Sequence, residues 1–457
     1  MIQTVRKAWA IPELRKKIIF TLLILLIYRI GNAISVPYIN VAELEATLNS
    51  MGTTYLGLLN VMSGGAFAMA TVFALGIQPY INSSIIIQLL TVAIPPLERL
   101  AREGGEEGKK KIQAITRYST VAIALLQAAG YYVLLKGNNL LTTTGVWPAI
   151  VIIVSFVAGA SFLMWLGEQV NEFGVGNGIS MILFAGIISR VPSAVSSMIT
   201  GVRIWSGVRS GTLTVDYVES AFNYTTEQAE AYLNQALAPW VIPLILIGVL
   251  ALVVLIVFVS DAERRIPVQY AKRQVGRKMY GGQSSHLPMK VNMSGVLPVI
   301  FAQSIATLPV TIWTFIGIPE EGTVAYSIYS AIDTQSILYM VVYFLMIIGF
   351  SYFYATIQFN PVEISNNLKK NGGFIPGFRP GLPTSQFISK VLSKITLFGA
   401  IYLGIVAIVP LIAGKLLPIS SLAIGGTSVI IVVGVALETV QALESQMLMR
   451  QYKGFLE

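Results

Sequence analysis

The sequence predicts an all-α polytopic membrane protein, ten transmembrane helices in two inverted five-helix halves around a central hourglass pore. Three observations lead there. Of 457 residues, 54% are hydrophobic and only 12% charged, at a mean hydropathy of +0.71, whereas a soluble domain carries about 25% charged residues. Charge-poor stretches of about 20 residues, the length that crosses a bilayer as a helix, recur ten times. A Gly-Pro motif then repeats at the same rank in the two sets of five.

By their charge, Pro and Gly boundaries, the crossings run over residues 18–36, 72–96, 118–136, 147–167, 177–195, 239–260, 294–316, 337–360, 391–413 and 424–443. The first follows a basic stretch, Met1 to Lys17, that has the charge of a signal-peptide n-region. No small-residue cleavage site follows it and Arg29 interrupts the apolar run, so a retained helix is expected. Of the 31 Lys and Arg, 24 fall in the two tails and in the loops after crossings 2, 4, 6 and 8, and Lys394 at the start of crossing 9 lies on the same side. The positive-inside rule therefore places both termini in the cytoplasm and accounts for the net charge of +9. The loop after crossing 4 dissents, with Glu168 and Glu172 and no base.

Between Glu45 and Glu98 lie 52 uncharged residues, too many for one crossing and too poor in turn signals for two. Breaks at Ser63-Gly64-Gly65 and at Gly76-Ile77-Gln78-Pro79 suggest a short half-helix near Tyr55 to Met62, a small-residue stretch, and then the true crossing. Irregular backbone at membrane depth survives only inside protein or beside a water-filled cavity, so a cavity is implied. The alternative is that residues 46–70 lie as a loop on the membrane surface.

Crossing 2 contains Gly76-Ile77-Gln78-Pro79-Tyr80-Ile81 and crossing 7 contains Gly295-Val296-Leu297-Pro298-Val299-Ile300, both G-x-x-P-x-I. Crossings 5 and 10 also correspond, opening with Gly176-Asn177-Gly178-Ile179-Ser180 and Gly425-Gly426-Thr427-Ser428. Five helices per half is an odd number, so the second half, 236–457, is inverted relative to the first, 1–235. A pathway is expected between the interrupted helices.

The pathway shows almost no ionisable group, which a transporter or ion channel would need at its midplane. The residues at the breaks are aliphatic: Ile77, Ile81 and Ile300, with Ile179, Leu183 and Ile431 at related places in crossings 5 and 10. A ring of this kind dewets, excludes ions and yields to an object of any chemistry; each side chain taken singly would equally suit lipid contact or core filling. Uncharged polar residues follow the breaks: Asn82, Ser83, Ser84, Gln88 and Thr91 on one side and Gln303, Ser304 and Thr307 on the other, joined by Gln127 from crossing 3. They read either as an openable seam or as ordinary interhelical glue, at about 0.6 to 2 kcal/mol per bond. Two loops are more basic than topology demands. Residues 261–290 hold Arg264, Arg265, Lys272, Arg273, Arg277, Lys278 and Lys290 around an extended RIPVQYAKR, and residues 361–390 hold Lys369, Lys370, Arg379 and Lys390. They suit a nucleic acid backbone, an acidic protein face, or merely lipid and topology.

No Cys is present, which excludes disulfides, iron–sulfur clusters and thiol chemistry, and the single His286 leaves no His-rich metal site. A phosphate-binding loop, an H-E-x-x-H motif and a nucleophile–base pair are also lacking, so no enzyme chemistry and no cofactor are expected. Energy for any work must come from outside the chain. A secondary transporter shares the inverted repeats and broken helices but would need a charged midplane site. An intramembrane protease would need paired Asp, Ser with His, or zinc ligands.

Over nearly its whole length the chain resembles the SecY family, the channel-forming subunits of the bacterial Sec protein translocase. The resemblance lies in NVMSGGAFAMATVFALGIQPYINSSIIIQLLTV, FLMWLGEQVNEFGVGNGISMILFAGI, RRIPVQYAKRQVGRK, SSHLPMKVNMSGVLPVIFAQS, NPVEISNNLKKNGGFIPGFRPG and GGTSVIIVV. It implies a protein-conducting channel of the bacterial cytoplasmic membrane that passes unfolded secretory polypeptides and releases apolar segments sideways into lipid. It assigns a pore ring to Ile77, Ile81, Ile179, Leu183, Ile300 and Ile431, and a plug to roughly Gly57 through Thr71, including Leu59, Asn60, Met62, Ser63, Gly64 and Gly65. A lateral gate falls to crossings 2 and 7, flanked by 3 and 8, with Asn82, Ser83, Gln88, Gln127, Gln303, Ser304 and Thr307. Arg264, Arg265, Lys272, Arg273, Arg277, Lys278, Lys369, Lys370 and above all Arg379 would meet the SecA motor or the ribosome. The small subunits SecE and SecG, signal peptides, preproteins and the bilayer are the other implied partners. Two departures stand out: Leu183 replaces the commoner Ile, and the outer loop from about Arg190 to Trp240 is long and acidic.

Overall fold

The structure is a computed structural model that describes residues 2–50, 59–60, 62–222, 226–234, 236–270, 273–275, 278–280, 284–293, 295–316, 319, 322–416 and 426–453. Each expected crossing falls on a helix: α1 Pro12–Gly31, α2 Gln78–Ala93, α3 Gly105–Gly137, α4 Val146–Phe173, α5 Gly178–Ile188, α6 Val241–Asp261, α7 Leu297–Ile316, α8 Ile337–Gln358, α9 Leu382–Leu416 and α10 Gly426–Lys453. Among the described residues, seven helical spans are long and apolar enough to cross a membrane by length and composition. An eighth joins Gln78–Ala93 to Pro95–Ala101 across a bend of 106°, where Pro95 and Pro96 withdraw the donors that would continue the helix. The others are α1, which carries Arg15, Lys16, Lys17 and Arg29, and the shorter α7.

The boundaries differ from the expected ones for one reason. Hydropathy sees only the part of a helix that lies in lipid, while the backbone stops where caps and turns stop it. So α3, α9 and α10 run past their apolar stretches into charged turns, and α4 extends through Glu168 and Glu172, which had been placed in a loop. Glu168 has a base after all: Arg117 Nε of α3 is 2.9 Å from its Oε1. In the other direction, α2 is shorter than expected. Residues 63–77 form turns, and the helix starts only where Pro79 sits in its first turn. Most of the expected half-helix at 55–62 lies outside the described residues.

The largest apolar core gathers residues from both halves, among them Ile24, Ile81, Leu163, Leu183, Ile256, Ile300, Tyr343, Val406 and Ile431. A second core, around Phe67, Tyr131 and Phe156, packs the segment before α2 against α3 and α4. Close approach there depends on Gly159 of α4, where an added Cβ would stand 1.8 Å from the Val72 carbonyl oxygen. At the opposite end the helix Ile2–Ala10 lies on the end of α10, with Thr4 Oγ1 donating to Glu444 Oε1 at 3.0 Å, so the two terminal segments share one end of the molecule.

The same end carries a small platform. Strand β1 (Glu263–Tyr270) pairs antiparallel with β4 (Ser284–Lys290) and with β5 (Gly373–Phe374), in the order β4-β1-β5. Between them β2 (Arg273–Val275) and β3 (Lys278–Tyr280) pair with each other. Ile266 and Val268 alternate inward from β1 onto Ile375, Ile388 and Leu392, so the sheet rests on the first turns of α9.

Valine at Gly159 would force apart a contact with backbone on one side, and overpacking of this kind costs about 3 kcal/mol. Gly159→Val should therefore lower the midpoint of thermal unfolding in detergent, while Gly248→Ala, with nothing within 4 Å of the new Cβ, should leave it unchanged. Equal midpoints for the two variants would refute the packing argument.

Candidate functional site

Asparagine at the N-cap of α5 fixes the start of that helix. The Asn177 side chain accepts from the backbone N–H groups of Ile179 and Ser180 at 3.1 and 3.4 Å, which sets the direction of the first turn. Ile179 and Leu183, four residues apart, then share one face of α5. Ile77 caps α2 and Ile81 follows one turn later. Gly167 of α4 lies beside both helices: a Cβ there would be 3.7 Å from Ile77 Cδ1 and Ile179 Cγ1, an ordinary contact.

The structure brings all six aliphatic residues into the largest core. Ile77, Ile81, Leu183, Ile300 and Ile431 are at most 4% exposed, and the partly buried Ile179 packs against them. No helix among α2, α5, α7 and α10 turns its aliphatic residue out toward lipid. The six side chains themselves offer no hydrogen bond, the property that a narrow apolar constriction would need to stay dry.

The segment before α2 packs into the same core, through Met62 and Ala66. Its described residues from Asn60 and Met62 to Ala68 are buried apart from the half-buried Gly64, while Gly57, Leu58 and Val61 lie outside the described residues. The Ser63 carbonyl accepts from Tyr28 Oη at 3.0 Å and from Asn32 Nδ2 at 3.3 Å. Asn60 Oδ1 accepts from the Ala68 N–H at 3.0 Å, and Tyr131 Oη donates to the Phe67 carbonyl at 2.7 Å. Gly64 and Gly65 have φ of +70° and +92°, where a side chain is disfavoured, and Gly64 abuts Gly186 of α5. Leu59 is partly buried beside Phe67. Neither Tyr28 nor Asn32 was singled out from the sequence, although a tyrosine and an asparagine near the end of an apolar helix were a visible cue.

Methionine links this segment to the polar seam: Met62 Sδ is within 3.2 Å of Gln78 Nε2 and 3.9 Å of Gln303 Nε2. Asn82, Gln127, Ser304 and Thr307 line the cavity between Met62 and α7. A second, groove-like cavity of about 390 Å³ opens outside it between α2, α3 and α7, walled by Ile86, Leu126, Leu308 and Ile312. Not every polar residue faces the seam. Ser83 Oγ donates to the Thr116 carbonyl of α3 at 2.8 Å, which binds α2 to its own half, and Thr307, although it lines the cavity, donates its hydroxyl to carbonyls of its own helix. Ser304 Oγ and Gln303 Oε1 are buried with no hydrogen-bond partner among the described residues.

Across the seam, Tyr354 of α8 donates its hydroxyl to Gln88 Oε1 of α2. The Tyr354 ring is held beside Phe301 of α7 at 5.2 Å. Sequence reading found Gln88 and missed Tyr354, which lies among other aromatic residues of an apolar helix.

The platform displays its bases. Arg264, Arg265, Lys369, Lys370 and Arg379 are exposed, and Arg265 pairs with Glu263 at 2.6 Å. Lys272 and Arg277 lie outside the described residues, and the side chains of Arg273 and Lys278 are not described. Arg379 stands on a rigid turn: Thr384 Oγ1 donates to its carbonyl at 2.8 Å, Ser365 Oγ donates to the Gly381 carbonyl at 2.7 Å, and Phe378 stacks on Phe387 at 4.2 Å.

Phenylalanine at Tyr354 keeps the ring packing and removes the bond to Gln88, worth about 0.6 to 2 kcal/mol within a membrane. Because the chain has no native Cys, cysteines at Ile86 and Leu308, on opposite walls of the groove, report how closely the seam stays shut. Tyr354→Phe should slow their crosslinking several-fold; an unchanged rate would show that this bond does not hold the seam.

The SecY family profile matches residues 71–440. Over 471 residues the chain is 41% identical to the protein translocase subunit SecY of Streptomyces scabiei, covering all of both chains. It is 40% identical to that of Mycobacterium tuberculosis strain H37Rv, covering 97% of each. Among solved structures it is similar to a SecY whose plug domain is described as stabilising the closed state of the translocation channel and maintaining a membrane seal. The TM-score there is 0.61, at 18% identity and with 95% of this chain and 92% of that chain covered. It is also similar to Sec61 in the canine ribosome–channel complex from the endoplasmic reticulum, at a TM-score of 0.56 and 18% identity, with the same coverage. A sequence match of this length and a shared helical architecture lead to one conclusion: the chain belongs to the SecY family.

Proposed function

We propose that the chain is the protein-conducting channel of a bacterial cytoplasmic membrane, with both termini in the cytoplasm. Unfolded secretory polypeptides pass through the aliphatic constriction, and apolar segments leave sideways between α2–α3 and α7–α8. The observation that carries this reading is the gathering of six aliphatic side chains from four interrupted helices into one buried cluster. A dry, compliant waist excludes ions without selecting any one side chain of a passing strand.

The segment from about 57 to 71 acts as the plug. In the closed state it is held by Tyr28, Asn32 and Tyr131, and it leaves when a polypeptide enters. The apolar h-region of a signal peptide, 7 to 15 residues long, binds the groove walled by Ile86, Leu126, Leu308 and Ile312. As a helix it satisfies its own backbone there, so lipid on its far side costs nothing. Entry of the signal replaces the Tyr354–Gln88 bond and gives partners to Gln303 and Ser304.

This chain performs no chemistry of its own, so the driving force comes from a partner. The exposed bases of the platform, Arg379 foremost, receive the SecA motor or the ribosome, and SecE and SecG complete the membrane complex. Three features support this reading: the relatives' role as translocase subunits, the ribosome-bound state of one structural neighbour and the rigid presentation of Arg379.

A photo-crosslinker in place of Ile300 should capture a secretory chain arrested in transit; repeated capture of lipid alone would remove the ring from the pathway. Arg379→Glu should abolish most ATP-driven export in reconstituted vesicles while the chain still inserts normally. Export at the parental rate by that variant would end its assignment as the coupling residue.

A further inference from the structure

We infer that Glu438 of α10 is a positioning residue for the gate: its carboxylate sets where α7 begins, and so how firmly α7 closes against α2 and α3. This rests on the proposed reading of α2 and α7 as the two sides of a lateral gate.

A helix leaves its first backbone N–H groups without partners, and a capping box answers this with a glutamate three residues in that reaches back to the N-cap N–H. Helix α7 has no such residue. Val296 is its N-cap, since its carbonyl accepts from the Ile300 N–H at 3.2 Å, and the residue three further on is the aliphatic Val299. The missing carboxylate comes from another helix: Glu438 of α10 lines the same small cavity as Gly295 and Val296 and lies against the start of α7. Negative charge at this point is also favoured by the dipole of α7.

The fit around the carboxylate is close. Gly295 has φ of +63°, and a Cβ built on it would stand 2.5 Å from Glu438 Oε1. One turn back on α10, a Cβ on Gly434 would stand 2.1 Å from Val296 Cγ2. Almost one turn forward, Gln441 Oε1 accepts from Lys290 Nζ at 2.7 Å. Gly434, Glu438 and Gln441 recur at i, i+4 and i+7, so one face of α10 seats Lys290, Gly295 and Val296. Seven residues before Glu438 on the same helix is Ile431 of the constriction. One rigid helix thus places both a ring residue and the start of the gate.

The inverted repeat makes the point sharper. The matching glycine before α2, Gly76, has a similar φ of +58°, but a Cβ there would meet Ser63 of the plug at 3.8 Å. The start of α2 leans on a segment that leaves during transport, and the start of α7 leans on a fixed carboxylate. When the plug goes, α2 is released while α7 keeps its place.

The test compares Glu438→Leu and Glu438→Gln in vesicles that hold the full complex. Two preproteins are used, one with an intact signal and one with a charge inserted in its h-region, together with the cysteine pair at Ile86 and Leu308. Leucine should raise export of the defective preprotein relative to the intact one by about five-fold, the scale of a lost helix cap, and should slow crosslinking. Glutamine keeps an acceptor oxygen and should lie nearer the parent. Parental selectivity and parental crosslinking in Glu438→Leu would overturn the inference, as would glutamine proving the more permissive of the two. Should the leucine variant not accumulate, Gly434→Ala disturbs the same seat and should relax selectivity likewise; unchanged selectivity there overturns it too. Crosslinking needs no transport, so it still decides the role of Glu438 if the vesicles export neither preprotein, an outcome that would count against the proposed function instead.

Discussion

A passage through lipid that must stay shut to ions has no use for charge at its waist. It needs side chains that meet one another without leaving a hydrated gap and without offering water a hydrogen bond. Ile77, Ile81, Ile179, Leu183, Ile300 and Ile431, proposed as that waist, share one apolar core. Asn177 fixes the turn that starts α5, and Gly159 lets α4 close on the backbone before α2. Dispersion contacts are weak singly and strong in number, so such a seal is firm as a whole while any one side chain can move aside.

The parts around this cluster are held in different ways. The platform has a strand register, its own small core and a triply braced turn at Arg379. The segment before α2, proposed as the plug, is held by a few hydrogen bonds to its backbone carbonyls. One hydroxyl bridges α8 to α2, while Gln303 and Ser304 stay buried with atoms unsatisfied, each at a cost of about 1 to 3 kcal/mol. In the proposed gate that cost would lower the work of opening, because a guest there would supply partners lacking among the described residues.

The seam residues also show where reading from sequence stops. Polar residues beyond the Gly-Pro breaks are visible in the chain, but the direction in which each points is not. Ser83 turns to its own half and binds Thr116, whereas Gln88, five residues on, reaches Tyr354. Tyr354 is 266 residues from its partner, and nothing local distinguishes it from the aromatic residues beside it. Glu438 is similar: nothing local in crossing 10 singles it out until Gly295 and Val296 are found against it.

Crossing positions and the aliphatic character of the breaks were determined by the sequence alone. Lipid offers no hydrogen bonds to the backbone, so every crossing must announce itself locally as an apolar run, and every interruption as Gly or Pro. Helix ends, the 106° bend after Ala93 and the pairing of polar atoms were decided only by the tertiary structure. Those features depend on which distant group arrives within hydrogen-bonding reach, a quantity of about 3 Å that no single stretch of chain encodes.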